Sequence, residues 1–280
     1  MTDFSERRLD IMTACRDIDL PVLRIAYFNL QKFMPFKQLH VATAARNFRC
    51  FERALGRDVN LLDEDRLIPE MTLAELKTLP LPFFPRGAGW YYQQFLKYAF
   101  AFQNIEDDHY LIWDADTIAL RPMRFFDDQG RMLFTKATEH HSPYFQTYKK
   151  LLGEEAHSEF SFISQHLIVQ KSVLREMLAR IEEMHPQHKN WAWAIMGNLD
   201  GVGTNLFSEY ETLGHYVKNK YPDRAVFQNL PWLRSGSDLF CGLPNEQDLA
   251  RLGEQYAFTA FEAKNRGLRR WLAWALGLFK

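Results

Sequence analysis

An α/β fold is what the sequence predicts: a single domain with a mostly parallel central sheet flanked by helices. Three observations carry that expectation. Strand-like apolar runs alternate with helical patterns from residue 9 to residue 65. The apolar run FISQHLIVQ, residues 162–170, leads straight into an amphipathic helix, KSVLREMLARIEEM. The run YLIWDADTIAL, residues 110–120, is apolar until it meets two carboxylates, Asp114 and Asp116. In open α/β sheets, ligands sit beyond the carboxyl ends of the strands.

In chain order, LDIMTAC (9–15) reads as a buried strand ended by Arg16 and Asp17. PVLRIAYFNLQKF has helical periodicity, with Leu23, Ala26, Tyr27 and Leu30 on one face. KQLHVATA (37–44) and DVNLLDED (58–65) read as two further strands, with a polar helix over Phe48–Leu55 between them. Residues 66–88 are irregular and proline-rich. A helix then covers WYYQQFLKYAFAFQ: Tyr91, Phe95, Tyr98 and Phe102 form its apolar stripe, and Gln93, Gln94 and Lys97 are expected on its polar side. The aspartate-bearing strand follows, with Asp107 and Asp108 in the turn before it. RMLFTKAT (131–138) is another strand, and residues 139–160 are a loop carrying a short helix. FISQHLIVQ is a strand, and Ser172 is expected to cap the helix after it. Residues 190–240 are mixed and rich in Trp, Tyr and Gly.

Composition narrows the function classes. The 280 residues carry a formal net charge of −1, whereas a nucleic-acid-binding domain would be basic. Three scattered cysteines, Cys15, Cys50 and Cys241, form no C-x-x-C pair, so a zinc knuckle or dithiol site is not expected and a reducing compartment is. The first residues hold no long apolar segment, and no run reaches the roughly 18 apolar residues of a membrane span. The expected location is the cytoplasm.

Burying a charge in an apolar strand is costly unless something compensates it. Two carboxylates at a strand end can share a divalent cation, and hard oxygen donors suit Mg²⁺ or Mn²⁺ together with substrate phosphates. Ala115 between them is small and leaves room for a ligand. The competing reading is that the pair caps the next turn or pairs with Arg121 or Arg124.

The pattern of apolar strand, WDADTIAL and then Arg121-Pro122 resembles the metal-binding D-x-D signature of nucleotide-sugar glycosyltransferases of the GT-A (Rossmann-like) superfamily. DIMTACRD resembles the first strand of that fold, and GWYYQQFLKY the helix before the D-x-D strand. FISQHLIV and FSEYETLGHY are similar to segments of a bacterial GT-A family associated with surface-polysaccharide synthesis. The resemblance spans residues 9–216, and only the D-x-D and SEYE stretches are at all specific.

The resemblance implies a metal-dependent transfer of sugar from a UDP- or GDP-linked donor to a saccharide or lipid-linked acceptor in surface glycan synthesis. It implies Mn²⁺ or Mg²⁺ at Asp116, with Asp114 touching the ribose or a metal-bound water, and a third ligand late in the chain, for which His215 and Glu211 are candidates. Thr13, Arg16 and Asp17 would read the base, ribose or phosphate, or simply begin a turn. Arg86, before a glycine-flanked helix start, would meet phosphate, and Gln94 would face the donor. Trp90 would stack on base or sugar, or belong to the core. Gln165 and His166 interrupt an apolar strand beside the donor sugar, with a satisfied core histidine as the competing reading for His166. Glu209 is the candidate base of an inverting transferase, while Ser208 and Glu211 have capping-box spacing.

The last residues, RGLRRWLAWALGLFK, form the pattern of a basic, Trp-bearing amphipathic helix. The expected organisation is thus a transferase domain over residues 1–262 and a helix over 263–280, whose residues 266–280 touch an anionic membrane surface on its cytoplasmic face or else dock on the sheet. Two other classes compete: a metal-dependent phosphoryl or nucleotidyl transferase using the same aspartates, and a non-catalytic sugar- or lipid-binding protein of the same fold. TACRDIDLP lacks the glycine-rich basic loop of a nucleotidyltransferase.

Overall fold

The structure is a computed structural model that describes residues 7–79, 87–156, 159–200, 205–240 and 242–262. The helix expected over 263–280 lies outside the described residues. Among the described residues, no helix is long and apolar enough to cross a membrane.

Strand β1 (Leu9–Ala14), helix α1 (Leu20–Phe33), strand β2 (Phe36–Thr43), helix α2 (Phe48–Leu55) and strand β3 (Asn60–Asp63) follow the expected alternation. β1 pairs in parallel with β2, and β2 with β3. Helices α3 (Glu64–Leu67) and α4 (Leu73–Thr78) lead to α5 (Gly87–Ala99). Strand β4 (His109–Trp113) then returns to the other side of β1, again in parallel. The central order is β3-β2-β1-β4-β7. The direction of strand succession therefore reverses between β1 and β4, and such a switch point opens a crevice at the carboxyl ends of the two strands.

The strand interiors are largely apolar because helices cover both faces, with Asp10 and His40 buried as a pair 2.8 Å apart. Ile11, Met12, Leu111, Ile112 and Trp113 are all buried. Strand β5 (Thr117–Ala119) follows the aspartates and leaves the central sheet for a smaller one. The strand expected in RMLFTKAT is β6 (Met132–Thr135), which pairs in parallel with β8 (Ala225–Gln228) outside the central sheet. Helix α6 (Ser142–Leu152) is the short helix foreseen in the loop region.

Within FISQHLIVQ only His166–Gln170 is strand (β7), and it runs antiparallel to β4 with His166 opposite Trp113. The start of β7 therefore lies at the end of β4. Helix α7 (Lys171–Met184) follows directly. Ser172 does not cap it: the cap position is Gln170, and the Ser172 N–H and hydroxyl both donate to Asp108, at 3.1 and 2.7 Å. Helices α8 (Trp191–Gly197) and α9 (Glu209–Lys220), strand β9 (Trp232–Leu233), helix α10 (Glu246–Gly253) and strand β10 (Phe258–Ala260) complete the described chain. β10 joins β5 antiparallel, so the last strand packs beside the aspartate turn.

Candidate active site

The Asp114-Ala115-Asp116 turn is shaped by backbone bonds from three directions. The Trp113 indole N–H donates to the Thr117 carbonyl at 2.7 Å, and Thr117 N–H donates to the Asp114 carbonyl at 2.9 Å. Asp114 N–H donates to the Gln165 carbonyl at 3.0 Å, and Phe261 N–H donates to the Asp116 carbonyl at 2.8 Å. Gln165 presents its carbonyl from a left-handed backbone, φ 65°, which costs a non-glycine residue on the order of 1 kcal/mol. Such strain clusters at functional sites, and here it is spent beside the aspartates.

The two aspartates then diverge. The Asp114 carboxylate is ion-paired with Lys97 Nζ, which also donates to the Tyr210 hydroxyl at 3.4 Å. Lys97 simultaneously donates to Glu209 Oε1 at 2.6 Å. Burial pushes this ammonium towards neutrality, but the two carboxylates outweigh it and hold its pKa above the usual lysine value, so it stays charged. The Glu209 backbone is held as well: its N–H donates to Gln94 Oε1 at 3.0 Å, and its carbonyl accepts from the Tyr98 hydroxyl at 2.5 Å. Asp116 lies two residues further along, half-buried beyond the carboxyl end of β4.

Several expected site residues have other surroundings. Gln94 and Lys97 were placed on the polar side of their helix, yet they are only 1% and 2% exposed. Gln94 uses its amide oxygen on Glu209 and its amide N–H on the Trp90 carbonyl, so it links two helices instead of facing a donor. Glu209 is buried against Lys97, whereas a base must reach the proton it removes. His166 is the core histidine: its ring stacks on Trp113 and meets Phe125 and Phe258, Nε2 lies 3.1 Å from Thr135 Oγ1, and burial drives its pKa down to about 3. A neutral, enclosed imidazole is not placed to hydrogen-bond sugar hydroxyls.

His215 is also enclosed, between Phe145, Tyr148 and Phe162, with Nδ1 donating to the Glu211 carbonyl at 2.8 Å. Among the described residues, no group of three His, Cys, Asp or Glu side chains converges as metal ligands, so the expected set of Asp114, Asp116 and His215 is not assembled. Ser208 does cap α9, accepting from Glu211 N–H at 3.3 Å. The capping box is not completed, because the Glu211 carboxylate turns inward to the Ser161 hydroxyl.

At the end of β1, Arg16 and Asp17 are exposed in the turn opposite the aspartates across the switch point. Arg16 pairs with Asp19 at 3.1 Å, and Asp17 accepts from Ile18 N–H at 3.0 Å. Thr13 is fully buried, and its hydroxyl finds no hydrogen-bond partner among the described residues. Arg86 lies outside the described residues.

Sequence reasoning missed Lys97, Tyr98 and Tyr210. A signal for the first was present: Leu96, Tyr98, Ala99 and Phe100 surround Lys97, and a helix apolar on all sides is buried on all sides.

Comparison with known proteins follows the same outline. The family model described as "Family of unknown function (DUF6492)" matches residues 13–221, most of the chain, from the end of β1 to the end of α9. The chain belongs to the DUF6492 family. No curated protein matches this DUF6492 member. Among solved structures, mouse xyloside xylosyltransferase 1 in its apo form is similar with a TM-score of 0.51 and 14% identity, covering 92% of this chain and 99% of that one. Galactosyltransferase LgtC, solved with donor and acceptor sugar analogs, aligns with a TM-score of 0.47 and 14% identity, covering 90% of this chain and 87% of that one. The DUF6492 chain thus has the mixed α/β architecture of GT-A glycosyltransferases, with a mostly parallel central sheet between helices.

Proposed function

We propose that this chain is a glycosyltransferase that moves a sugar from a nucleotide-diphosphate donor to a saccharide or lipid-linked acceptor. The observation that carries the reading is the aspartate turn itself: a strained, multiply bonded loop that presents Asp116 at the crevice where β1 and β4 part. Arg16 and Asp17 border the same crevice and supply a cation and an acceptor for a nucleotide.

The donor chemistry fits a divalent cation in part. Asp116 offers a hard carboxylate, and Mg²⁺ or Mn²⁺ is commonly held by one or two carboxylates with pyrophosphate and water completing the shell. Asp114 is ion-paired with Lys97, and the D-x-D resemblance assigns the ion to the last aspartate, so Asp116 is the residue that would hold it. When bound, the cation offsets the charge that grows on the departing diphosphate. The chain's own part is to fix the backbone of that turn, with Phe261 N–H on the Asp116 carbonyl and Thr117 N–H on the Asp114 carbonyl, over a floor of buried Trp113, Ala115 and Ile118. Glu209 supports this floor through Lys97, so the reading needs no general base from that residue. The basic, Trp-bearing sequence of residues 266–280 favours an acceptor at an anionic membrane surface, such as a lipid-linked surface-glycan precursor.

The test is a hydrolysis and transfer screen across UDP- and GDP-sugars with Mn²⁺ and Mg²⁺, comparing the native chain with Asp116→Ala. Turnover by the native chain, lost by about 100-fold or more in the variant with the fold retained, is expected. Thermal stabilisation by UDP or GDP should accompany it and should require the metal. Stabilisation by a free sugar or lipid, without any response to nucleotide, favours instead a binding protein of the same fold.

A further inference from the structure

A cavity of about 880 Å³ lies away from the aspartate turn, walled by α6, by the chain at 155–156 and 159–160, and by the later part of α9. Its size is within the roughly 300–1,000 Å³ of small-molecule sites. Helix α6 has two unlike faces. Tyr144, Thr147, Tyr148 and Leu151 are buried in the core. Ser142, Phe145, Gln146 and Lys149, at helical spacing, line the cavity. Two half-buried rings, Phe145 and Phe160, give it an aromatic surface. Other rings back them: His215 stands 5.3 Å from Phe145, and Phe162 and Phe227 each stand 5.3 Å from Phe160.

The lining selects a ligand class. Around the rings stand a hydroxyl, an amide and an imidazole, from Ser142, Gln146 and His140. Two lysines, Lys149 and Lys218, are matched by two glutamates, Glu155 and Glu159, and Lys149 is ion-paired with Glu155. Polar side chains outnumber apolar ones, which disfavours an acyl chain. The balanced charge disfavours a phosphate, which calls for an excess of cations. Aromatic faces among donors and acceptors suit a saccharide. Its C–H groups lie on the electron-rich face of a ring, and its hydroxyls both donate and accept. Position adds a role. Lys218 comes nine residues after Glu209 in one continuous helix, and Glu209 is tied through Lys97 to Asp114. The cavity wall is therefore about 13 Å along α9 from the end anchored to the aspartate turn. An oligosaccharide spans such a distance and a single sugar does not.

We infer that this cavity binds an oligosaccharide and holds the body of the acceptor while its end reaches the transfer site. The role in transfer rests on the glycosyltransferase reading; saccharide binding as such does not. The experiment applies the labelled full chain, without nucleotide, to an array of single sugars and of neutral and acidic oligosaccharides. The best-bound oligosaccharide is then titrated calorimetrically into the native chain, Phe145→Ala, Gln146→Ala and Phe145→Trp. Oligosaccharides are expected to bind better than their single sugars. Phe145→Ala should weaken binding about tenfold, the effect of losing an aromatic platform. Gln146→Ala should weaken it about threefold, the effect of one hydrogen bond. Phe145→Trp keeps a ring and guards against an Ala variant that does not fold: it should retain binding. With a nucleotide sugar present, KM for the same oligosaccharide as acceptor should rise in Phe145→Ala in step with the lost affinity. The inference is overturned if no saccharide binds, if Phe145→Ala and Gln146→Ala both bind as the native chain does, or if Phe145→Trp binds no better than Phe145→Ala. Phe145-dependent binding by a chain that turns over no nucleotide sugar retires the transferase reading and leaves the saccharide site standing. Sugar transfer by a chain without such binding retires the cavity's role alone.

Discussion

Helix α9 carries two buried acidic residues two positions apart, and they have opposite surroundings. Glu209, at the first position, is held at its N–H, its carbonyl and its carboxylate, and it faces a permanent cation. Glu211 points to the other side. Its Oε1 accepts from Ser161, while its Oε2, 3.3 Å from His215 Nδ1, finds no hydrogen bond among the described residues. His215 Nε2 is likewise without a hydrogen-bond partner, in a nest of aromatic rings. One acid is paired with a charge, although burial still raises its pKa; the other sits in an apolar interior with an oxygen left over. Burial alone therefore does not mark a site. What distinguishes Glu209 is that its partner Lys97 connects it to the aspartate turn.

The sharpest way to break this contrast is Glu209→Gln. Lys97 keeps Asp114 as its counter-ion, so the variant loses one charge-assisted hydrogen bond in a buried site, a cost of about 1.5–3 kcal/mol. Urea denaturation of the variant should report a loss of that order, together with weakened nucleotide binding. An unchanged midpoint would mean that the Lys97 pair is not a fixed part of the fold.

Gly214→Ala tests the other side of the helix. An added Cβ would stand 2.2 Å from Phe162 Cγ, and Phe162 is fully buried with no space to retreat. Overpacking of this kind costs about 1–3 kcal/mol, to be read from the thermal midpoint, with nucleotide affinity preserved in the folded fraction.

His215→Phe should change little, by less than about 1 kcal/mol, because an aromatic of similar size replaces a ring that leaves one nitrogen unsatisfied. Loss of metal-dependent turnover in this variant, with stability unchanged, would reinstate His215 as a ligand.

A further effect, negligible at neutral pH, concerns protons. His166 is held neutral by burial, with its pKa near 3 against about 6.5 in the unfolded chain. Between those values the unfolded state binds one more proton, so this group lowers stability as pH falls from about 6.5 towards 3. Replacing His166 with Phe should flatten that part of the stability–pH curve while leaving the slope above pH 7 unchanged. Equal slopes in both proteins would show that His166 does not titrate between the two states.

Much of the fold was legible in local pattern. LDIMTA, KQLHVAT and NLLD became adjacent parallel strands because their apolar runs alternate with helical ones, and Phe48–Leu55 is helical over the expected span. The aspartate pair stood out because charge at the end of a buried strand demands compensation. The compensation itself was not legible. Lys97 is 17 positions before Asp114 and 112 before Glu209, separations at which sequence spacing carries no distance information. The strand expected over residues 162–170 starts only at His166 for a similar reason: Gln165 adopts a left-handed backbone and accepts from the Asp114 N–H, a demand made by the neighbouring strand.

By itself, then, the sequence determined which segments are strands and helices and where a charged strand end would sit, because periodicity and charge placement act over a few residues. Only the tertiary structure decided which acid is anchored, which is presented and which histidines are core. Those outcomes depend on what lies across a packing interface, and a buried charge takes its role from the partner that folding brings to it.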